Sequence, residues 1–475
     1  MLFAQVVKLT CKLASVLLLA RLVSPNDHGL FAMASTVVLL LTLFRDAGLG
    51  AAAVQTAVLA PVQLSTLFWT HLGIGILLTA LSAGAAPLAA EFYSAPAVLP
   101  LLLLMSTSFL LIGAGGFVRS QLERAARFND VARIEATAAI GGTIAMVAAA
   151  VGQAGAYAFA VYLLVSEALA TALAWHAIKW RPASRPRWSS IHHLLRTGRD
   201  VTGYQLIGYL LQQVDAIVVG HFFGAYLLGL YNRASQLLAL PLLYLAGPVN
   251  QVALVSLSRA GTASPEFAHH ARTTATVVAH LVLPVFAVCA ILPEEIVRLV
   301  LGPQWPEAAP FLRVLSFAAA AATLTSFAYA LNVAAGQTRR LLWSAAAALP
   351  LTILAVWVGA RSGPLGVAQG IAAVNMLLLG PRWWWAMREL PGSFAGYLNA
   401  LLGPGVSTAA AALGFWLGGE SAAGADWAVR LSAGVAGGGI GLVLAASVWP
   451  RLRSEWRIVF AHLPIPRPNK FTSGA

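Results

Sequence analysis

The sequence predicts an all-α, polytopic membrane protein with about 14 transmembrane helices. Three observations support this: charged residues fill only 10% of the 475 positions, hydrophobic residues fill 59%, and apolar runs of spanning length recur from end to end. Each run is predicted to be helical, because hydrocarbon offers no hydrogen-bonding partner to a free backbone amide. The predicted spans are roughly 3–22, 29–44, 63–89, 97–118, 133–151, 155–177, 201–219, 227–255, 273–292, 309–333, 341–360, 364–386, 397–418 and 427–449.

Positive charge is concentrated in every second gap between the predicted spans. Lys and Arg number 30 against 17 Asp and Glu, and 22 of the 30 fall on one side of the predicted spans. Because basic loops stay on the cytoplasmic side, both termini are predicted to be cytoplasmic. The excess charge of +13 is therefore a topology signal, and no nucleic-acid partner is expected. The basic linker and tail are expected to contact anionic membrane lipids.

A polar linker and an internal repeat divide the chain. Residues 29–35 match residues 229–235 at an offset of 200, as GLFAMAS against GLYNRAS. This predicts two six-helix lobes related by a pseudo-two-fold repeat, a plan found in alternating-access transporters. The predicted domains are an N-terminal lobe at 1–178, a basic cytoplasmic linker at 179–200, a C-terminal lobe at 201–390, two extra transmembrane helices at 391–450 and a cytoplasmic tail at 451–475.

Two lysines interrupt the first predicted span. Lys8 and Lys12 are four residues apart and lie on one helix face. An ionisable side chain inside a bilayer is costly and has to meet protein, water or a ligand. Two interpretations stay open: a cationic stripe that lines a central cavity, or side chains that reach back to the inner interface.

Other ionisable residues also lie within or beside the spans. Arg45 and Asp46 end the second span, as a gate at the inner mouth or as an interfacial turn. Glu167 lies near the middle of the sixth span, as a proton-coupling acid or a hydrogen-bonded carboxyl. Asp215 ends a polar face of the seventh span, as a proton or cation site or as the ion-pair partner of Arg233.

The sequence offers no signature of an enzyme or a cofactor site. There is no G-x-x-x-x-G-K-[ST] motif for nucleotide phosphates, no H-E-x-x-H and no G-x-S-x-G. Both cysteines, Cys11 and Cys289, fall inside predicted spans, so neither a disulfide framework nor a zinc site is expected. We therefore expect no cofactor, no metal and no catalytic activity.

Motifs at the starts and turns of the predicted spans occur in a characteristic order. They are ARLVSPNDHGL at 20–30 followed by FRDAGLG at 44–50, VDAIVVGHFFG at 214–224 running into LGLYNRA at 228–234, VLGPQW at 300–305, and GQTRR at 336–340. Together they resemble the Wzx-type bacterial polysaccharide flippases of the multidrug/oligosaccharidyl-lipid/polysaccharide exporter superfamily. Two positions depart from that pattern: His28 replaces the usual aromatic residue, and His221 stands where the family often has Arg.

The resemblance implies a flippase that moves polyprenyl-diphosphate-linked oligosaccharides across the bacterial inner membrane for O-antigen or exopolysaccharide synthesis. Its two lobes are expected to enclose a cavity that opens alternately to each side. For the anionic diphosphate we expect Lys8, Lys12, Arg45 and Asp46 at the cavity, and Glu167, Asp215 and Arg233 in ion coupling or lobe contacts. A polysaccharide polymerase and export machinery are further expected partners.

Three other functions stay open on sequence alone. A drug or cation exporter of the same superfamily needs an acidic and aromatic cavity, whereas the first span here is basic. A flippase for the peptidoglycan precursor shares the mechanism. A membrane enzyme that polymerises or ligates lipid-linked glycan needs a large outer loop, and the predicted outer gaps are short.

Overall fold

The structure is a computed structural model that describes residues 2–45, 60–178, 180–182, 186, 192–261, 264–388 and 394–462. Regular structure within these ranges is helical throughout. The first half of the chain forms α1 Leu2–Leu22, α2 Pro25–Thr42, α3 Pro61–Phe92, α4 Val98–Arg124, α5 Phe128–Val151, α6 Tyr157–Ala177 and α7 His192–Pro241. The second half forms α8 Gly247–Ala260, α9 Pro265–Ile291, α10 Pro293–Val300, α11 Ala309–Ala334, α12 Thr338–Ala360, α13 Pro364–Met387, α14 Phe394–Ser421, α15 Trp427–Val448 and α16 Pro450–His462.

The prediction of a polytopic all-α membrane protein is confirmed. Eleven helices in the described ranges are long and apolar enough to cross a membrane. One of them, Gln205–Ala260, runs through α7 and α8 and covers nearly all of two predicted spans, and α1 and α2 correspond to the first two. Each of the predicted spans therefore corresponds to a helix in the structure.

Local sequence signals set the helix starts. The Ser24 hydroxyl caps α2 by accepting a hydrogen bond from the Asp27 amide at 3.2 Å, and Pro25 takes the first helical position. Ser264 caps α9 in the same way through the Phe267 amide at 3.1 Å. In α7 the helix breaks at Gly224 and restarts directly afterwards. The φ angle of Gly224 is 82°, a value that glycine adopts without steric strain.

The chain divides into two compact units. Unit 1 takes its described residues from Met1–Ser235, Val297–Phe311 and Ala345–Ile371. Its helices α1, α5 and α6 meet through an apolar cluster of Leu19, Val23, Met146, Ala150 and Ala158. Unit 1 thus holds the first six helices and most of α7.

Unit 2 takes its described residues from Gln236–Ile296, Leu312–Ser344 and Ala372–Ala475. Its largest fully buried side chains include Phe267 of α9, Phe327 of α11 and Tyr397 of α14, which share one apolar cluster with Trp383 of α13. The indole N–H of Trp383 donates to the Leu324 carbonyl at 3.1 Å, so the buried polar edge of this ring is satisfied. The lobe boundaries at 178 and 201 stay a prediction.

Candidate functional site

The face of α1 that carries Lys12 is covered at one end and open at the other. Leu19 and Val23 follow Lys12 by two and three turns on the same face, and both are buried against α5 and α6. Lys12 itself is exposed. For Lys8 the structure describes the helical backbone, and its side chain lies outside the described part.

Glu167 has an ionic partner in unit 1. Its carboxylate lies 3.0 Å from the Arg119 guanidinium of α4, and each side chain is 21% exposed. Tyr162, five residues earlier on α6, lies near both Glu167 and Cys11, the neighbour of Lys12. This ion pair therefore lies close to the open half of α1. Sequence reasoning missed Arg119, because 48 residues separate it from Glu167 and no spacing rule links them.

Arg45 lies at the end of α2 beside the α3–α4 contact. It is partly buried and lines a space of about 10 Å³ together with His71, Phe109 and Gly113. A space of this size holds about one water molecule. Asp46 lies outside the described residues, and the gate and turn interpretations of this pair both stay open.

Asp215 and Arg233 each contact other side chains in unit 1. The Tyr231 hydroxyl donates a short hydrogen bond to the Asp215 carboxylate, which also accepts from the Ala216 amide at 2.8 Å. Arg233 is buried, and its guanidinium carbon lies 5.9 Å from the centroid of the Phe159 ring. Sequence reasoning missed Tyr231 as the partner of Asp215, although both belong to the motif that joins spans seven and eight.

An aromatic cluster joins two of the sequence motifs, 20–30 and 300–305, at the C-terminal end of α1. The His28 ring meets Phe159 and Trp305 edge-on at centroid distances of 4.9 and 5.0 Å. Trp305 is fully buried, and its indole N–H donates to the Ala20 carbonyl at 2.6 Å. The Gln304 amide donates to the same carbonyl. These two side chains satisfy a carbonyl that the end of α1 leaves without a helical partner.

The two histidines that depart from the family pattern have structural contacts. Nδ1 of His28 lies 2.9 Å from the Ser24 carbonyl, inside the aromatic cluster. His221 is exposed, stacks on Phe92 at 4.3 Å, and places Nδ1 2.7 Å from the Phe92 carbonyl at the end of α3. In the described part of the chain, no three His, Cys, Asp or Glu side chains come together as metal ligands.

A sequence comparison decides the family. A family model described as "Polysaccharide biosynthesis protein" matches residues 18–310, which include the aromatic cluster and the Arg119–Glu167 ion pair. The chain belongs to this polysaccharide biosynthesis family. The resemblance predicted from the four motifs is confirmed.

Two curated relatives of this family member carry informative names. The chain is 23% identical over 314 residues to the lipopolysaccharide biosynthesis protein WzxC of Escherichia coli K12, covering 66% of this chain and 64% of that protein. It is 26% identical over 386 residues to the succinoglycan biosynthesis transport protein ExoT of Rhizobium meliloti, covering 78% and 76%. The chain thus spans just under two thirds of the length of WzxC.

The fold is also similar to that of a solved structure. The lipid II flippase MurJ in an inward closed conformation superposes with a TM-score of 0.75, covering 94% of this chain and 98% of MurJ at 16% identity. At that identity the likeness concerns the fold. This member of the polysaccharide biosynthesis family therefore has the fold of a multi-pass membrane transporter.

Proposed function

We propose that the protein is a flippase that moves polyprenyl-diphosphate-linked oligosaccharide repeat units across the inner membrane for surface polysaccharide synthesis. The observation that carries the proposal is the family match over residues 18–310, together with a relative named as a succinoglycan biosynthesis transport protein. The likeness to a lipid II flippase fold supports it, because the same helical plan serves a lipid-linked glycan there. On this proposal the chain transports its cargo and carries out no covalent chemistry.

The chemistry of the cargo matches the charges on α1 and α2. A diphosphate needs cationic hydrogen-bond donors once water is removed. The exposed Lys12, with Lys8 one turn away, supplies a cationic face at the open half of α1. Arg45, with Asp46 beside it, is proposed to act at the same mouth, while the polyprenyl tail stays in the bilayer.

Ion coupling is proposed to use the carboxylates of unit 1. Glu167 lies against Arg119 and near Tyr162, so a change in its protonation alters the charge beside α1. Asp215 and Arg233 are proposed to serve in coupling or in contacts between the lobes. Both lie on α7, on either side of Gly224, where the helix breaks.

Location and sidedness follow from the charge pattern. With 22 of 30 basic residues on one side, we propose an inner-membrane protein with both termini in the cytoplasm. The basic linker and tail then face anionic lipid headgroups. A polysaccharide polymerase and export machinery are proposed to act on the product, because translocated repeat units need to be joined and moved outward.

The decisive experiment reconstitutes the purified full chain in vesicles with fluorescent lipid-linked oligosaccharides. Movement of the head group to the other leaflet is measured with a membrane-impermeant quencher, with and without a proton gradient. We expect wild-type protein to move the glycan faster than empty vesicles. If it moves no lipid-linked glycan and extrudes an organic cation instead, the protein is an exporter and the proposal is wrong.

A further inference from the structure

The C-terminal helix α16 buries an acid in the middle of its apolar stripe. Leu452, Glu455 and Val459 are spaced by three and four residues on one face, and all three are buried. Arg453 and Arg457 lie on the exposed face. A buried carboxylate is costly unless it is paired, so its surroundings decide how this helix is held in unit 2.

Glu455 sits in a space that a glycine leaves open on α14. A Cβ atom added at Gly403 would overlap the Glu455 carboxylate, so a larger residue there excludes it. Oε1 accepts a hydrogen bond from Nε of Arg451 at 2.7 Å, and Arg451 also donates to Oδ1 of Asn399 at 2.8 Å. The remaining oxygen, Oε2, points at His280 of α9 at a distance of 3.6 Å from Nε2.

The tautomer of His280 follows from its second nitrogen. Nδ1 lies 2.9 Å from the Thr276 carbonyl oxygen, which only accepts hydrogen bonds, so Nδ1 carries a hydrogen. In a neutral imidazole Nε2 is then a bare acceptor. Among the described residues, neither Nε2 of His280 nor Oε2 of Glu455 has a hydrogen-bond partner. Two acceptor atoms therefore face each other in a buried site.

A single proton between these atoms removes the conflict. It forms an ion pair if it resides on His280 and a neutral O–H···N hydrogen bond if it resides on Glu455. We propose that His280 and Glu455 form a proton-binding site, and that its proton latches α16 onto α9 and α14. Loss of the proton leaves two buried acceptors in opposition, and α16 releases its carboxylate to water. The latch does not depend on the identity of the transported cargo.

Within the described part of the chain, few other charges lie around the pair. On α16 Arg451 holds Oε1, and the Trp456 ring lies 5.1 Å from the His280 ring. On α9 the next charged side chain is Arg272, two turns before His280. On α14 the next titratable side chain is Tyr397, and Arg430 of α15 pairs with Glu295 at 3.1 Å. Of the described groups packed around Glu455, His280 is the one that both faces the carboxylate and can take up or release a proton.

Hydrogen–deuterium exchange of the full chain in lipid nanodiscs tests the latch, with each peptide compared with its intrinsic rate at the same pH. We expect wild-type peptides of Pro450–His462 to lose about tenfold in protection between about pH 5 and about pH 9. Glu455→Gln donates an amide N–H to Nε2 without a titratable proton, and His280→Gln donates to Oε2. Both variants are expected to keep equal protection at both pH values.

The matched control is His270→Gln, an exposed histidine on the same helix, which is expected to behave like wild type. Peptides of α9 report whether each variant is folded. Equal wild-type protection at both pH values overturns the proposal, as does a loss of protection with pH in both glutamine variants.

Discussion

Gly29 of α2 and Gly229 of α7 meet at a close helix crossing in unit 1. A Cβ atom on Gly29 would overlap the carbonyl oxygen of Ala225, and one on Gly229 would overlap the carbonyl oxygen of Pro25. Gly229 is the repeat equivalent of Gly29, and Ala225 is the repeat equivalent of Pro25, because both pairs differ by 200 residues. Each repeat therefore makes the same contact with the other. Such reciprocity is the mark of a local two-fold axis. The repeat read from the sequence therefore coincides with a two-fold contact in space.

Replacement of either glycine is expected to disrupt this crossing. Gly29→Val or Gly229→Val places side-chain atoms where a backbone carbonyl lies, and the backbone cannot give way as a flexible side chain does. We expect a loss of about 1–3 kcal/mol or more in the free energy of unfolding, seen as a lower melting temperature in detergent. Gly208→Val on α7 is the matched control, because a Cβ there meets nothing within 4 Å. Equal melting temperatures for all three variants would contradict the close crossing.

Hydropathy was enough to predict the spanning helices, because the lipid-facing sequence is apolar around the whole helix. Hydropathy was not enough to predict the helix α16, which lies almost wholly within the predicted tail at 451–475. That helix is short, and Glu455 interrupts its stripe of Leu452 and Val459. Its docking depends on His280 and Gly403, which lie more than 50 residues away in the chain, and no local pattern connects them.

The candidate site was predictable only as a set of isolated charges. Lys12 stands out because lysine is rare within an apolar run, and the structure leaves it exposed. The partner of Glu167 could not be predicted, since the pairing depends on how α4 packs against α6. The role of Trp305 was also hidden, because its hydrogen-bond acceptor is a backbone carbonyl 285 residues earlier in the chain.

Lys12 is the position at which charge on α1 is expected to affect transport. Lys12→Ala removes a cation from an exposed position, so we expect glycan movement in vesicles to fall about tenfold while protein yield stays unchanged. Lys12→Arg keeps the charge and is expected to retain most activity. Arg21→Ala removes an exposed charge from the other end of the same helix and serves as the control. Full activity of Lys12→Ala would exclude this residue from the binding site.

The Arg119–Glu167 ion pair is expected to stabilise unit 1. Both side chains are mostly covered, so removal of one partner leaves the other charge poorly solvated. We expect Arg119→Gln and Glu167→Gln each to lower the free energy of unfolding by about 1–3 kcal/mol. The double variant is expected to lose less than the sum, with a coupling of about 0.5–3 kcal/mol in a double-mutant cycle. The exposed pair of Arg313 and Glu294, at 3.1 Å, offers a control cycle with little coupling. Additive losses at the first pair would mean that the two residues do not interact.

Trp305 and Gln304 both donate hydrogen bonds to the Ala20 carbonyl. Their single and double variants are therefore expected to differ in how much unfolding free energy they lose. A carbonyl oxygen has two lone pairs, so one donor still satisfies it when the other is removed. Gln304→Leu alone is therefore expected to cost about 1 kcal/mol or less, and Trp305→Phe about 1–3 kcal/mol because ring volume is lost as well. The double variant leaves a fully buried carbonyl without a donor and is expected to lose more than the sum of the single variants. Melting curves of the three variants provide the measurement, and Trp343→Phe, at an exposed tryptophan, is the control. If the single and double losses simply add, the carbonyl has a further donor, and these two side chains do not by themselves fix the end of α1.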